Sequence, residues 1–269
     1  MLMRRILAEG DGWSVSDIVC SSGPRDRPFE ERHSDYSIAL VRAGTFQYRS
    51  ARGKELMTPG SLLLGSAGQC FECGHEHSTG DHCLSFAYRP QHFERLAHDA
   101  GGSGHAAFPV LRIPPVRPLS ALLARCQAAC DACAWEVLSL DLAALVVPIA
   151  RGTPPGPCYE PSAAARVTRA IRLLDESIGA PCTLADLARE ARLSPFHFLR
   201  TFRELTGITP HQYQRRIRLR HAAGLLAASK EKIIGIALAC GFEDLSVFNR
   251  AFRSEFASTP SEFRRQNAR

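Results

Sequence analysis

A repeat near the C-terminus constrains the fold more than any other feature. Sliding the chain on itself by 50 residues lays FLRTFRELTGITPHQYQRR, starting at Phe198, over FNRAFRSEFASTPSEFRR, starting at Phe248. Arg200 meets Arg250, Phe202 meets Phe252, Arg203 meets Arg253, Thr209 and Pro210 meet Thr259 and Pro260, and Tyr213 meets Phe263. Upstream the offset falls to 49: Leu187 and Ala188 meet Ile236 and Ala237, and Leu193 meets Phe242, so the second copy holds one more residue in its turn. Such a gapless run marks a duplicated structural unit.

Local signals say what the unit is. Thr183 followed by Asp186 opens a short helix in the manner of a capping box. Arg192 to Ser194 form a turn, Pro195 starts a second helix and Gly207 closes it. Two short helices around a tight turn make a helix-turn-helix, so the repeat implies two of them. Between the copies HQYQRRIRLRHAAGLLAAS reads as one long helix with Tyr213, Ile217, Leu225 and Leu226 inward and its arginines outward. Ahead of the first copy, Ser162 caps a helix whose apolar face is Ala165, Val167, Ala170, Ile171, Leu174 and Ile178.

Charge follows the same division. Residues 162–269 carry 18 Lys and Arg against 10 Asp and Glu, net +8, whereas residues 1–161 carry 15 against 17, net −2. A basic half built of helix-turn-helix units is suited to the DNA backbone. A length of 269 residues, 45% hydrophobic and 22% charged, fits two globular domains and excludes a disordered or fibrous chain. The N-terminus shows no apolar run of signal or membrane length, so a cytoplasmic protein without membrane association is expected. There the ten cysteines would stay reduced.

From Tyr36 to about Pro109, short apolar runs broken by Gly and Pro indicate an antiparallel β domain. Residues 118–150 turn helical and read as a helix pair packed on it. RGTPPGPCYEP at 151–161 can continue neither helix nor sheet and serves as a linker. The expected boundaries are thus 1–116 for a sensor domain, 117–150 for a helical dimerisation segment, 151–161 for the linker and 162–269 for the DNA-binding domain.

Over roughly residues 163–265 the chain resembles the DNA-binding domain of the AraC/XylS transcription regulators, on IALACGFEDLSVFNRAFRSEFASTPSEFRR in the second unit and LADLA, LSPFHFLRTFRELTG and TPHQY in the first. The β region, with TPGSLLL, looks like the cupin-type effector and dimerisation domain of many members. The resemblance implies an α+β chain: a cupin-like antiparallel β-barrel, a following helix pair, then an all-α seven-helix domain with two helix-turn-helix units. It implies a cytoplasmic, sequence-specific DNA-binding regulator, an activator, that answers a small-molecule, metal or redox signal and is not an enzyme. The partners implied are double-stranded promoter DNA, RNA polymerase, a second copy of the chain and an unknown small-molecule effector. By resemblance the base-facing residues are Phe196, Leu199 and Arg200 in the first unit and Leu245, Ser246, Asn249 and Arg250 in the second. An arginine there can bond guanine O6 and N7 together, worth roughly 1–3 kcal/mol, and Asn249 can read adenine. Arg250 could instead pair with a nearby acid. Phe196 and Leu199 offer only apolar contact, a departure from a typical first unit. Arg203, Arg215, Arg216, Arg253, Arg264 and Arg265 are expected at phosphates, which position without specifying sequence. Leu122, Leu123, Leu138, Leu140 and Leu142 are candidates for a dimer contact or for intramolecular core.

One run carries chemistry of another kind. CFECGHEHSTGDHC brings Cys70, Cys73, His75, His77, His82 and Cys83 within fourteen residues. Cys73, His75 and His77 alternate and would share one face of a strand, a donor set suited to zinc or another transition metal. Cys70 and Cys83 join this candidate set. A redox-sensing thiol and a plain packing role stand beside that reading. His75-Glu76-His77 supplies only part of a cupin enzyme's metal motif, so a metal-dependent enzyme carrying a DNA-binding domain is the alternative. Cys126, Cys130 and Cys133 share a helix face and read as packing ahead of thiols brought to a dimer seam. GGSGH at 101–105 lacks a lysine and a strand-to-helix setting, and reads as a loop.

Overall fold

The computed structural model describes residues 2–101, 107–128 and 131–267. Cys130, and most of the GGSGH run, lie outside them. The chain divides into two compact units: Met1–Pro115, Cys130–Thr168 and Glu204–Gly207 in one, and Val116–Ala129, Arg169–Arg203 and Ile208–Arg269 in the other.

The first unit is built on strands β1 (Leu2–Gly10), β2 (Trp13–Cys20), β3 (Phe29–Arg32), β4 (Tyr36–Gly44), β5 (Phe46–Ser50), β6 (Gly53–Met57), β7 (Leu62–Gly65), β8 (Cys70–Gly74) and β9 (Asp81–Tyr88), then helix α1 (Pro90–Asp99) and β10 (Arg112–Ile113). The strands form two antiparallel sheets, one ordered β1-β2-β9-β4-β7-β10 and the other β3-β8-β5-β6. The core includes Val41 and Leu63 of the first sheet together with Tyr48 and Met57 of the second. Helix α3 (Ala132–Gly152) lies on the outer side of the larger sheet: the Tyr88 hydroxyl donates to the Ser139 carbonyl at 2.7 Å, and Phe86 faces Trp135. Strand β9 therefore buries both faces, which explains its nearly unbroken apolar run LSFAY. The hairpin β1–β2, closed by Asp11 and Gly12, lies ahead of the region where strands were expected.

The second unit takes in α2 (Arg117–Ala128), so the expected helix pair is divided: α2 packs on helices of this unit while α3 packs on the sheet. Along the chain helices α4 (Pro161–Glu176), α5 (Leu184–Glu190), α6 (Pro195–Thr206), α7 (Pro210–Ala228), α8 (Ile233–Ala239), α9 (Leu245–Phe256) and α10 (Pro260–Asn267) follow, the seven expected, with Pro161–Thr168 of α4 and the last residues of α6 counted in the first unit. The Thr-Pro pair of the repeat proves to be a start signal used twice. Thr209 and Thr259 accept the backbone N–H of Gln212 and Glu262, whose side chains accept the N–H of each Thr in return, and the proline stands first in each helix. Thr183 and Asp186 make the same reciprocal box on α5.

Candidate nucleic-acid interface and the cysteine–histidine cluster

Each helix-turn-helix buries one face of its second helix and presents the other. In α6, Phe198 and Phe202 are fully buried, while Phe196, Leu199, Arg200 and Arg203 are exposed, Phe196 to 73%. In α9, Phe248 and Phe252 are fully buried, while Leu245, Ser246, Asn249, Arg250 and Arg253 are exposed. Phe252 stacks its edge on Phe263 and Phe202 on Tyr213, so the repeat's aromatic pair locks each second helix to the helix after it. All seven base-facing candidates thus lie on open helix faces. Arg250 makes no ion pair among the described residues.

The turns differ in a revealing way. Arg192, with φ of 54°, occupies the left-handed position that Gly241, with φ of 78°, occupies in the second unit. At the ends of the second helices the roles swap: Gly207 has φ of 80° and Ala257 has φ of 56°. Only glycine adopts that conformation without steric cost. The one-residue difference in offset is visible as well, four residues between α5 and α6 and five between α8 and α9.

The arginines expected at phosphates separate by environment. Arg203, Arg253 and Arg265 are exposed, and Arg215 and Arg264 are half-buried, Arg264 donating to the Glu231 carbonyl at 2.6 Å. Arg216 is only 14% exposed in its side chain and lies 3.4 Å from the buried carboxylate of Glu255, which also accepts the Ser120 hydroxyl of α2. A buried carboxylate needs that partner. Arg218, one of several arginines along α7, plays a structural part. Its guanidinium donates to the carbonyls of Ile178, Ala180 and Gly241 at 2.9, 2.8 and 2.9 Å. Its place in a periodic helix gives no hint of this, because all three acceptors are distant in sequence.

Negative charge sits at helix starts, where the helix dipole favours it. Hydrogen bonds from the Thr183 hydroxyl and backbone, then from Arg189, hold the Asp186 carboxyl at about 2. Backbone N–H groups of Val247 and Ser246 lower Asp244, and those of Thr259 lower Glu262.

In the β unit the expected donors part company. Cys70 is exposed, and His77 lies 3.8 Å from Glu76. His75 is buried, its Nε2 2.7 Å from Asp81 Oδ1. Cys83 is also buried and donates to the other Asp81 oxygen at 3.2 Å; burial, then the Asp81 charge, pushes its thiol up. Cys73 is pushed up for the same two reasons. Cys20 completes the group, its sulfur and donor atoms of His75 and Asp81 lying within 4.8 Å of one another. Cys20 and Asp81 went unnoticed in the sequence because only the pairing of β2 with β9 sets them opposite each other. His82 instead bonds Asp17 at 2.6 Å.

Of the leucines considered for a dimer contact, Leu122, Leu138 and Leu142 are buried, Leu123 is half-buried, and Leu140 is exposed, as are Val137 and Leu145 on α3. Among the described residues α3 is also the one helix long and apolar enough to cross a membrane.

Comparison with known proteins matches residues 20–137 to the AraC-like ligand binding domain and residues 187–266, both helix-turn-helix units, to a helix-turn-helix domain. The HTH-type transcriptional activator RhaR of Yersinia pestis bv. Antiqua is 38% identical over 93 residues, 35% of this chain and 32% of that protein. RhaR of Mannheimia succiniciproducens is 36% identical over 91 residues, 34% of this chain and 33% of that protein. The chain therefore spans about a third of the length of these curated relatives. A solved AraC-type DNA-binding regulator from Chromobacterium violaceum is 33% identical, covering 39% of this chain and 93% of that one at a TM-score of 0.37. With an AraC-like ligand binding domain and a helix-turn-helix domain in that order along one polypeptide, the chain belongs to the AraC-type family of transcription regulators.

Proposed function

We propose that the chain binds promoter DNA sequence-specifically through α6 and α9 and regulates transcription as an activator, its β unit receiving the signal. The observation that carries this is the repeated division of those two helices. Each buries a pair of phenylalanines, Phe198 and Phe202 or Phe248 and Phe252, and presents Arg200, or Asn249 and Arg250, on an open face. These are side chains whose donors and acceptors match base edges in the major groove. Phe196 and Leu199 give the first unit an apolar reading surface, fitted to thymine methyl groups. Arg203, Arg253 and Arg265 supply exposed phosphate contacts, with the half-buried Arg215 and Arg264 at the margin. Arg216 has the weakest claim, since its partner is Glu255.

The remaining parts follow from activation. The target is double-stranded promoter DNA, RNA polymerase is the partner acted upon, and the exposed apolar residues of α3 form the contact between two copies. Residues 1–116 sense the signal, residues 117–150 support dimerisation and residues 151–161 link this region to the DNA-binding domain. A signal acts by binding one arrangement of the chain more tightly than another. An enzymatic reading has less in its favour, because His75 and His77 have different neighbours, Asp81 and Glu76.

The test is selection of binding sites from random duplex DNA by the purified chain. Two short motifs one helical turn apart are expected to be enriched. Absence of any enriched motif overturns sequence-specific binding.

A further inference from the structure

We propose that Cys20, His75 and Asp81, with Cys83 beside them, form a site for a thiophilic divalent cation of the Zn²⁺ type inside the β unit. The donors come from both sheets: Cys20, Asp81 and Cys83 from β2 and β9 of the larger, and His75 from the residue that follows β8 of the smaller. Donor atoms of Cys20, His75 and Asp81 already lie within 4.8 Å of one another. Zinc bonds of about 2.0–2.3 Å require ligand atoms about 3–4 Å apart, so small side-chain rotations close the set.

The composition selects the cation. Two thiols, one imidazole and one carboxylate are four donors of a tetrahedral site, while a single carboxylate is too few for Ca²⁺ or Mg²⁺. A histidine–carboxylate pair made for packing alone has no use for sulfur. Here both oxygens of Asp81 are engaged, one by His75 and the other by the Cys83 thiol at 3.2 Å, and the side chains of His75 and Asp81 are only 2% and 9% exposed. A cation takes the place of those shared hydrogens, the thiols releasing their protons as it binds and neutral His75 carrying its own on the other ring nitrogen. Binding would tie the two sheets together at this end and raise the stability of the β unit. The site differs from the one expected from sequence, in which the exposed Cys70 and the outlying His77 stood among the ligands.

Cobalt(II) is the probe, because thiolate ligation gives it an intense near-ultraviolet charge-transfer band. The full chain, reduced and stripped with chelator, is expected to bind one Co²⁺ with that band, and Zn²⁺ should displace it. Changing Cys70, Cys130, Cys133, Cys158 and Cys182 together to Ser should leave the band intact, and Cys20→Ser should remove at least half of it. No thiolate band in the unaltered chain, loss of the band in the five-serine chain, or its undiminished survival in a folded Cys20→Ser chain each overturns the site. If Cys20→Ser does not fold, the unaltered and five-serine chains decide. The measurement involves no DNA, so its failure leaves the DNA-binding proposal untouched.

Discussion

Arg250 and Arg265 are both exposed but stand in different settings. Arg250 stands on the open face of α9 with Ser246 and Asn249, whereas Arg265 lies in the last turn of α10. Arg250→Ala is therefore expected to weaken a selected site by roughly 1–3 kcal/mol and random duplex hardly at all. Arg265→Ala should weaken both alike and flatten the salt dependence by about one phosphate. Equal losses on the two DNAs for Arg250→Ala would remove it from base reading. Asp186 gives a pH signature. Its folded carboxyl titrates at about 2 against an ordinary 3.8, so its contribution is complete above about pH 4 and is lost as pH falls toward 2. Asp186→Asn keeps an acceptor but no charge. Its melting curve should lie below the parent's at pH 7, with the gap closing between pH 4 and 2. A gap that does not change with pH would refute the charge-based account.

The elements of the DNA-binding domain were readable because each announces itself locally. Thr-Pro starts, a glycine stop and aromatic residues at helical spacing lie within a few residues of what they control, and the repeat states them twice. The β unit depends on pairings between distant strands. The apolar stretch from Tyr36 disclosed its sheets, but β1 is a largely exposed edge, LMRRILAEG, without alternation, and Cys20 meets Asp81 only once β2 pairs with β9. The division of α2 from α3 was hidden for a similar reason, since both are helical and only tertiary packing tells them apart. The repeat also predicts its own defects. Ala257 sits where the first unit has Gly207, at φ of 56°, so Ala257→Gly should raise stability by up to about 1 kcal/mol in chemical denaturation. Phe252→Ala removes the fully buried ring that joins α9 to α10, and should cost about 3–5 kcal/mol in the same assay.

Across the whole DNA-binding domain, separation of α6 and α9 rests on α7, 19 residues and about 28 Å long, and on Arg218, which ties that helix to the turn after α4 and to the turn of the second helix-turn-helix. Arg218→Ala leaves three carbonyls without this donor and should cost about 1–3 kcal/mol. It should also weaken two-motif sites more than either motif alone. Adding half a helical turn between the motifs should have the same selective effect on the parent chain, as gel-shift titration would reveal. The units are repeated head to tail and are not identical: one offers Phe196 and Leu199 where the other offers Ser246 and Asn249, with a five-residue turn in place of four. A two-fold symmetric reader sits the same way whichever strand it approaches; this one does not. A bound chain would carry an arrow along the duplex, and reversing its site would reverse the order in which the two helix-turn-helix units meet the sequence.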